Sequence, residues 1–255
     1  MLYGYIDFSK NFETIEMYAK TGVDYVEIPM DYPRPYKFDA EKLQKILDEY
    51  SLKVAFHGPW KGIFLGHAEK HVAEAAVKTF ENCIEKIKQF DYLYLTVHPS
   101  IPREYADYGD FFPESVENLK NSLKKIKREN HVVENLPEKH YFSLPDKMRQ
   151  LNCNYCLDVG HAARSSQDKE LKQWFDTIGK KITAVHLHDT KFPRRDHLFF
   201  GMGELNLELI LKQINKSSAK YVMLETYRTN ELDQADDKQR VVQTKKQVKF
   251  CKSVI

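Results

Sequence analysis

The 255 residues are 42% apolar, 30% charged and 13% aromatic, and 39 Lys and Arg against 37 Asp and Glu leave a formal net charge of +2. That balance fits one soluble globular domain and excludes a disordered chain, a collagen-like repeat and a coiled coil. It also removes any global electrostatic pull toward nucleic acid.

Short strand-like runs alternate with longer helix-like runs along the whole chain. In order, the strand-like runs are LYGYIDF (2–8), YVEIPM (25–30), KVAFHGP (53–59), LYLTVHP (93–99), HVVENL (131–136), NYCLDVGH (154–161), ITAVHLHD (182–189) and YVMLET (221–226). A long helix is predicted from about Glu69 to Gln89. After the fourth strand, Val116, Leu119, Leu123 and Ile126 recur at helical spacing, while Lys120, Lys124, Lys127 and Arg128 form a solvated face. A short helix follows near Pro145 to Leu151, and a terminal one runs from about Asp236 to Ser253. Alternating βα units predict parallel strands, since each crossover carries the chain back across the sheet. Eight strands with none left over predict one closed (β/α)8 TIM barrel spanning 1–255. No G-x-G-x-x-G follows the first strand, which removes the best support for a dinucleotide-binding sheet.

No apolar run approaches the roughly 18 residues needed to span a bilayer, and MLYGYIDFSKNFE has neither a basic n-region nor an apolar h-region. A cytoplasmic protein with no membrane partner is therefore expected. Cys83 and Cys251 are isolated and Cys153/Cys156 has no second pair, so the four read as buried free thiols.

Parallel barrels carry their chemistry where the strands end. Those ends here hold Glu27, His57, His98, Glu134, Asp158 with His161, His186 with His188 and Asp189, and Glu225. Each has an ordinary structural explanation: a core histidine, a helix N-cap at Asp158, half of an ion pair at Glu225. Together they demand neutralisation, because several carboxylates buried at one mouth are costly without cations or protons. Imidazole plus carboxylate donors suit Zn²⁺ or Mn²⁺, and Mg²⁺ less well. Alternation along the seventh strand puts His186 and His188 on one face and Leu187 on the other. Gly160 is expected to supply a tight turn that brings Asp158 and His161 inward. Gly201-Met202-Gly203 is weak as a phosphate loop and reads more simply as turn glycines.

The ordered set FHGPW, TVHPS, VVENLP, LDVGH, AVHLHDT, RDHLFFGMG and VMLET resembles the xylose isomerase-like TIM-barrel superfamily. This groups sugar and sugar-phosphate isomerases and epimerases with the endonuclease IV-like abasic-site nucleases (AP endonuclease family 2). The resemblance implies Glu134, Asp158, His186 and Glu225 as ligands of the shared metal, with His161 and His197 as neighbours that serve as further ligands or substrate contacts. In the nuclease branch it implies additional zinc on His57 and His98, with Glu134 bridging. In the isomerase branch those two histidines contact substrate or support the ligands.

Two functions follow. In a carbohydrate isomerase or epimerase, the metal grips a carbonyl and an adjacent hydroxyl and stabilises an enediolate, while Glu134 and Glu225 remove and return the proton. Lys191, Arg194 or Arg195 would hold a substrate phosphate, and Tyr105, Tyr108, Phe111 and Phe112 would cover the sugar, unless they merely pack on the rim. Specificity is expected in loops 31–38 and 99–112. In an endonuclease IV-like phosphodiesterase, a zinc cluster generates hydroxide and Trp60 stacks into distorted DNA. Against the nuclease, Arg195 stands where those enzymes carry a ligand Asp two residues before the histidine matching His197. A guanidinium about 5 Å from one unit of cation charge costs roughly 3 kcal/mol at an effective dielectric of 20. The isomerase, with a small-molecule carbohydrate substrate, is the favoured reading, and nucleic acid is a partner only under the alternative. Neither reading sets an oligomeric state.

Overall fold

The computed structural model describes residues 1–9, 11–107, 113–138, 140–166, 168–193, 195–229 and 235–254. Eight strands run parallel and close into a barrel: β1 (Leu2–Ile6), β2 (Tyr25–Pro29), β3 (Lys53–His57), β4 (Leu95–Val97), β5 (His131–Glu134), β6 (Tyr155–Asp158), β7 (Ile182–Leu187) and β10 (Tyr221–Leu224). Each pairs with its sequence neighbours, and β1 closes the ring on β10 through Leu2 opposite Tyr221. Strands β8 (Asp189–Lys191) and β9 (Arg195–Leu198) form an antiparallel hairpin inside the seventh connection. The predicted single barrel is thus the fold. The hairpin was not predicted, because TKFPRRDHL alternates too poorly to read as two strands.

Helices cover the outside. Lys70–Ile87, Pro113–Ile126, Pro145–Arg149 and Asp237–Val254 fall where amphipathic spacing placed them. Among the described residues, none of the helices is long and apolar enough to cross a membrane. Side chains two apart along a strand share a face. Val26, Ile28, Val54, Phe56, Val185 and Leu187 therefore point outward into the large core shared with the helices. The smaller inner core takes Ile6, Tyr25, Ala55, Tyr94, Val132, Cys156, Ala184 and Met223, a plug with seven residues from barrel strands and Tyr94 from just before β4. Ala55 and Ala184 make room for the tyrosines, and so does Gly4, where a Cβ would lie 2.4 Å from the Tyr25 ring.

Strand β6 ends at Asp158, three residues before the predicted end, and Val159–Ser166 is helix. The Asp158 carboxylate accepts the His161 backbone N–H at 2.7 Å, satisfying a donor of the first turn. Gly160 sits inside that helix and makes no turn. Its missing Cβ is a space requirement, since one there would lie 2.0 Å from the His188 ring.

Candidate metal centre

Two residues beyond the inner plug, the same alternation delivers the next inward layer. Tyr25 leads to Glu27, Ala55 to His57, Tyr94 to Thr96, Val132 to Glu134, Cys156 to Asp158, Ala184 to His186 and Met223 to Glu225. Apolar contacts thus fill the barrel up to a plane, and titratable groups occupy the plane above it. The register sets Asp158 opposite His186, while His186 faces Met223 and Glu134 faces Cys156, so the layer climbs in steps around the barrel.

Three groups of ligand-type side chains meet there: His57, His98 and Glu134; Glu134, Asp158, His186 and Glu225; and Asp158, His188 and His197. Within each group one potential ligand atom per residue lies within 4.8 Å of the others. Glu134 belongs to the first two and Asp158 to the last two, so the groups form a chain. Glu134 Oε2 lies 3.3 Å from His57 Nε2 and 3.1 Å from His98 Nε2. His186 Nδ1 lies 3.5 Å from Glu134 Oε2 and 3.2 Å from Glu225 Oε2. His161 Nδ1 approaches Asp158 Oδ2 at 3.4 Å, and His197 Nε2 approaches Glu225 Oε1 at 3.6 Å. All are buried except His98, whose side chain is 13% exposed.

Burial by itself raises carboxylate pKa values and lowers those of histidines. Mutual attraction reverses both at Glu134, Asp158 and His57, whereas burial and the neighbouring His188 keep His197 below its usual value. Against burial, His98 and His186 hold Glu134 well below the usual carboxylate range. Asp158 falls to about 2 because His161 and His188 outweigh its burial. Burial opposes a proton on His57, yet its hydrogen bond to Glu134 and that residue's charge lift it to about 9. Protons thus balance the carboxylates where a cation would. His186 marks the position most clearly: it is fully buried among carboxylates, and neither ring nitrogen has a hydrogen-bond partner. An imidazole so placed fits ligation, so the donors present suit a divalent metal.

Supporting contacts orient these groups. The Gly58 carbonyl accepts from His57 Nδ1 at 2.9 Å and turns Nε2 toward Glu134. Asn135 clamps Asp158 from behind, its Oδ1 accepting the Asp158 N–H at 2.7 Å and its Nδ2 donating to the Asp158 carbonyl at 3.0 Å. Glu27 accepts from Tyr94 and Thr96 and lies 3.4 Å from His186 Nε2.

The remaining predicted residues lie outside the three ligand groups. Trp60 is 42% exposed, its ring 5.6 Å from His98, on a rim cleft of about 440 Å³ lined by Phe8, Tyr32, Arg34 and Lys61. Lys191 is exposed on the hairpin. The Arg195 Nε donates to the Thr229 carbonyl at 2.8 Å, a bond directed at the last βα loop and not at the ligands. Among the described residues, Arg164 and Arg228 approach the site, both paired with Asp196. Their signal was invisible in sequence because they come from the helix after β6 and the loop after β10. The amides of Gly201, Gly203 and Leu205 all donate to Asp189, so that glycine loop is a structural turn. Tyr105 packs against the outer core beside His67. Tyr108, Phe111, Phe112 and Arg194 lie outside the described residues.

Residues 15–253 match the family described as xylose isomerase-like TIM barrel. An uncharacterised protein of Methanocaldococcus jannaschii is 25% identical over 238 residues, 90% of this chain and 92% of its own. A D-tagatose 3-epimerase-like crystal structure superposes with a TM-score of 0.77 at 20% identity, over 100% of this chain and 98% of that one. Endonuclease IV from Thermus thermophilus does so with a TM-score of 0.67 at 18% identity, over 98% of this chain and 100% of that one.

Proposed function

Because the chain belongs to the xylose isomerase-like TIM-barrel family, we propose that it is a divalent-metal-dependent isomerase or epimerase of a sugar or sugar phosphate. Glu134, Asp158, His186 and Glu225 are its central ligand set. An epimerase-like protein and an endonuclease share the fold, so the fold leaves the reaction open and the residues must choose it.

One observation carries the choice. Glu134 and Glu225 are both buried, both held in the ionised form, and reach His186 Nδ1 with separate oxygens at 3.5 and 3.2 Å. A Zn²⁺ or Mn²⁺ ion on the central set supplies Lewis-acid polarisation of a substrate carbonyl. Glu134 and Glu225 would then serve as the acid–base pair at the acidified carbon. One takes the proton alpha to the carbonyl and the other returns a proton, to the same carbon for epimerisation or to its neighbour for isomerisation. His161 and His197 flank them and contact substrate hydroxyls. The apolar plug below closes the barrel, so water reaches the site only from the mouth.

Incubation with candidate ketoses in deuterium oxide tests this directly. Deuterium is expected at the carbon beside the carbonyl, and its absence from every ketose and ketose phosphate tried would remove the proton-transfer reading. A second reading rests on the His57, His98 and Glu134 group with Trp60 beside it, which together favour a zinc phosphodiesterase acting on abasic-site DNA. Cleavage of an abasic duplex without deuterium exchange would establish it instead.

A further inference from the structure

We propose that the end of the barrel opposite the mouth binds a small polyphosphate, an anion whose phosphate groups are shared between two lysine-lined clefts that meet at Lys181. The inference is independent of the proposed function, since neither cleft includes a residue of the three ligand groups.

The first cleft, of about 770 Å³, lies where the helices Pro145–Arg149, Lys172–Ile178 and Leu207–Lys216 end beside the starts of β6 and β7. Its cations are Arg149, Lys180, Lys181 and Lys216. The second, of about 570 Å³, lies between Pro113–Ile126 and the chain leading into β6, and adds Lys120, Lys124 and Lys127. Asn152 and Lys181 line both, and the Lys181 ammonium donates to the Asn152 side-chain oxygen, so this pair forms the shared wall. Both volumes fall in the range of small-molecule sites, roughly 300 to 1,000 Å³.

The positive charge of the two linings is largely unopposed. Arg149 pairs with Asp146 at 3.2 Å, and Asp176, the carboxylate of the first lining, is taken by Lys172 at 2.6 Å. Among the described residues, Lys120, Lys124, Lys127, Lys180 and Lys216 have no carboxylate partner. Their neighbours on the same helices do: Lys125 reaches Glu74 at 3.8 Å, and Lys212 reaches Glu208 at 2.5 Å. In a chain with a net charge of +2, that is a concentrated field. His131, on the wall of the second cleft, is pulled to about 4 by burial and then by the Arg128 charge, as befits a base in positive surroundings.

Helix ends account for part of this charge. Lys124, Arg149 and Lys216 occupy last turns, where about half a negative charge gathers at each helix terminus. Three such ends offset about one and a half positive charges, which leaves most of the surplus for a ligand. Lysines hold phosphate as compact point charges, whereas single-stranded nucleic acid is held by stacking. The exposed aromatic rings Phe8, Tyr32, Tyr36, Trp60 and Phe250 line neither cleft. Linked phosphates bridging the shared wall would use both linings at once.

The test is isothermal titration calorimetry of the full chain with sodium tripolyphosphate, of which one equivalent is expected to bind. Lys181→Ala should weaken binding about tenfold, and Lys180→Ala and Lys124→Ala, one in each cleft, about threefold each. Lys181→Arg keeps the charge and should stay within about twofold of wild type. Lys246→Ala, an exposed charge on the terminal helix outside both clefts, should change nothing. Every substituted lysine is exposed, so the variants keep the fold. Any metal at the mouth that the probe chelates gives the same heat in all of them, and the differences read the clefts. The proposal fails if the cleft variants behave like Lys246→Ala, or if one cleft responds and the other does not. It fails equally if inorganic phosphate binds as tightly as tripolyphosphate, or if a short DNA duplex binds more tightly.

Discussion

His57 and His131 are both buried imidazoles on barrel strands, 5% and 6% exposed, yet their proton affinities move in opposite directions. His57 closes the C-terminal end of β3 beside Glu134 and rises to about 9 despite burial. His131 opens the N-terminal end of β5; burial, with the Arg128 charge, pulls it down to about 4. Burial acts alike on both, so the company each keeps decides the sign. The mouth holds positive charge on its histidines with carboxylates, whereas no carboxylate offsets the burial of His131 and Arg128 adds to it. The neutral total of the chain conceals that polarity.

The harshest way to break the contrast is to remove the shared carboxylate. Glu134→Ala, or Glu225→Ala opposite it, should lower kcat by about 10³-fold or more, since each deletes a ligand and an acid–base group together. Circular dichroism should show the barrel intact, because the plug and the outer core lie below and around the site. A variant that kept full turnover would eliminate the assignment.

A smaller effect is expected one contact further back. Glu27 supports His186 from inside the barrel, 3.4 Å from Nε2, and is itself held by Tyr94 and Thr96. Glu27→Gln should weaken Zn²⁺ affinity by about 10- to 100-fold without changing the number of ions bound. Competition with a chelating dye measures this. An unchanged affinity would make Glu27 a mere occupant of the plug's upper edge.

Much of this centre is legible in the chain because strands have a period of two. Once Tyr25, Ala55, Val132 and Ala184 are known to fill the barrel, Glu27, His57, Glu134 and His186 must follow on the same face. Side-chain direction off the strands is not legible. The short distance along the chain from Arg195 to His197 predicts a guanidinium beside the metal, but Arg195 sits in the hairpin strand β9 and its Nε bonds to the Thr229 carbonyl. Periodicity marks His188 only as a strand-end residue. Its surroundings depend on a left-handed His197 and a glycine at 160, neither of which any periodicity reports. Arg164 and Arg228 meet at Asp196 only through tertiary folding.

Acid and alkali should separate the two ends. The His131 value is depressed from 6.5 to about 4, so the unfolded chain binds that proton first and stability falls as pH drops from 6.5 toward 4. The effect is at most about 3 kcal/mol, and His131→Gln should flatten the acid limb of a denaturation profile. His57 is raised from 6.5 to about 9, so its contribution to the metal-free protein is complete below 6.5 and is lost as pH rises through 9. Zn²⁺ takes the place of that proton, so the alkaline loss should vanish in the loaded protein. An alkaline limb that ignored Zn²⁺ would place its origin outside the mouth.

The least effect is expected from the cations that sequence alone put forward. Lys191 is exposed on β8, and Arg195 is engaged with the Thr229 carbonyl. Beside His197, Asp196 is paired with Arg164 and Arg228. Lys191→Ala should leave kcat/KM and Zn²⁺ affinity within about twofold, the range of an exposed charge screened by solvent. Arg228→Ala should do more, because it unbalances Asp196 and through it the ring that stacks on His188. If Lys191→Ala raised KM for a sugar phosphate tenfold while Arg228→Ala did nothing, the hairpin would be a substrate clamp that closes over the mouth, and the charge contrast between the barrel ends would extend into its loops.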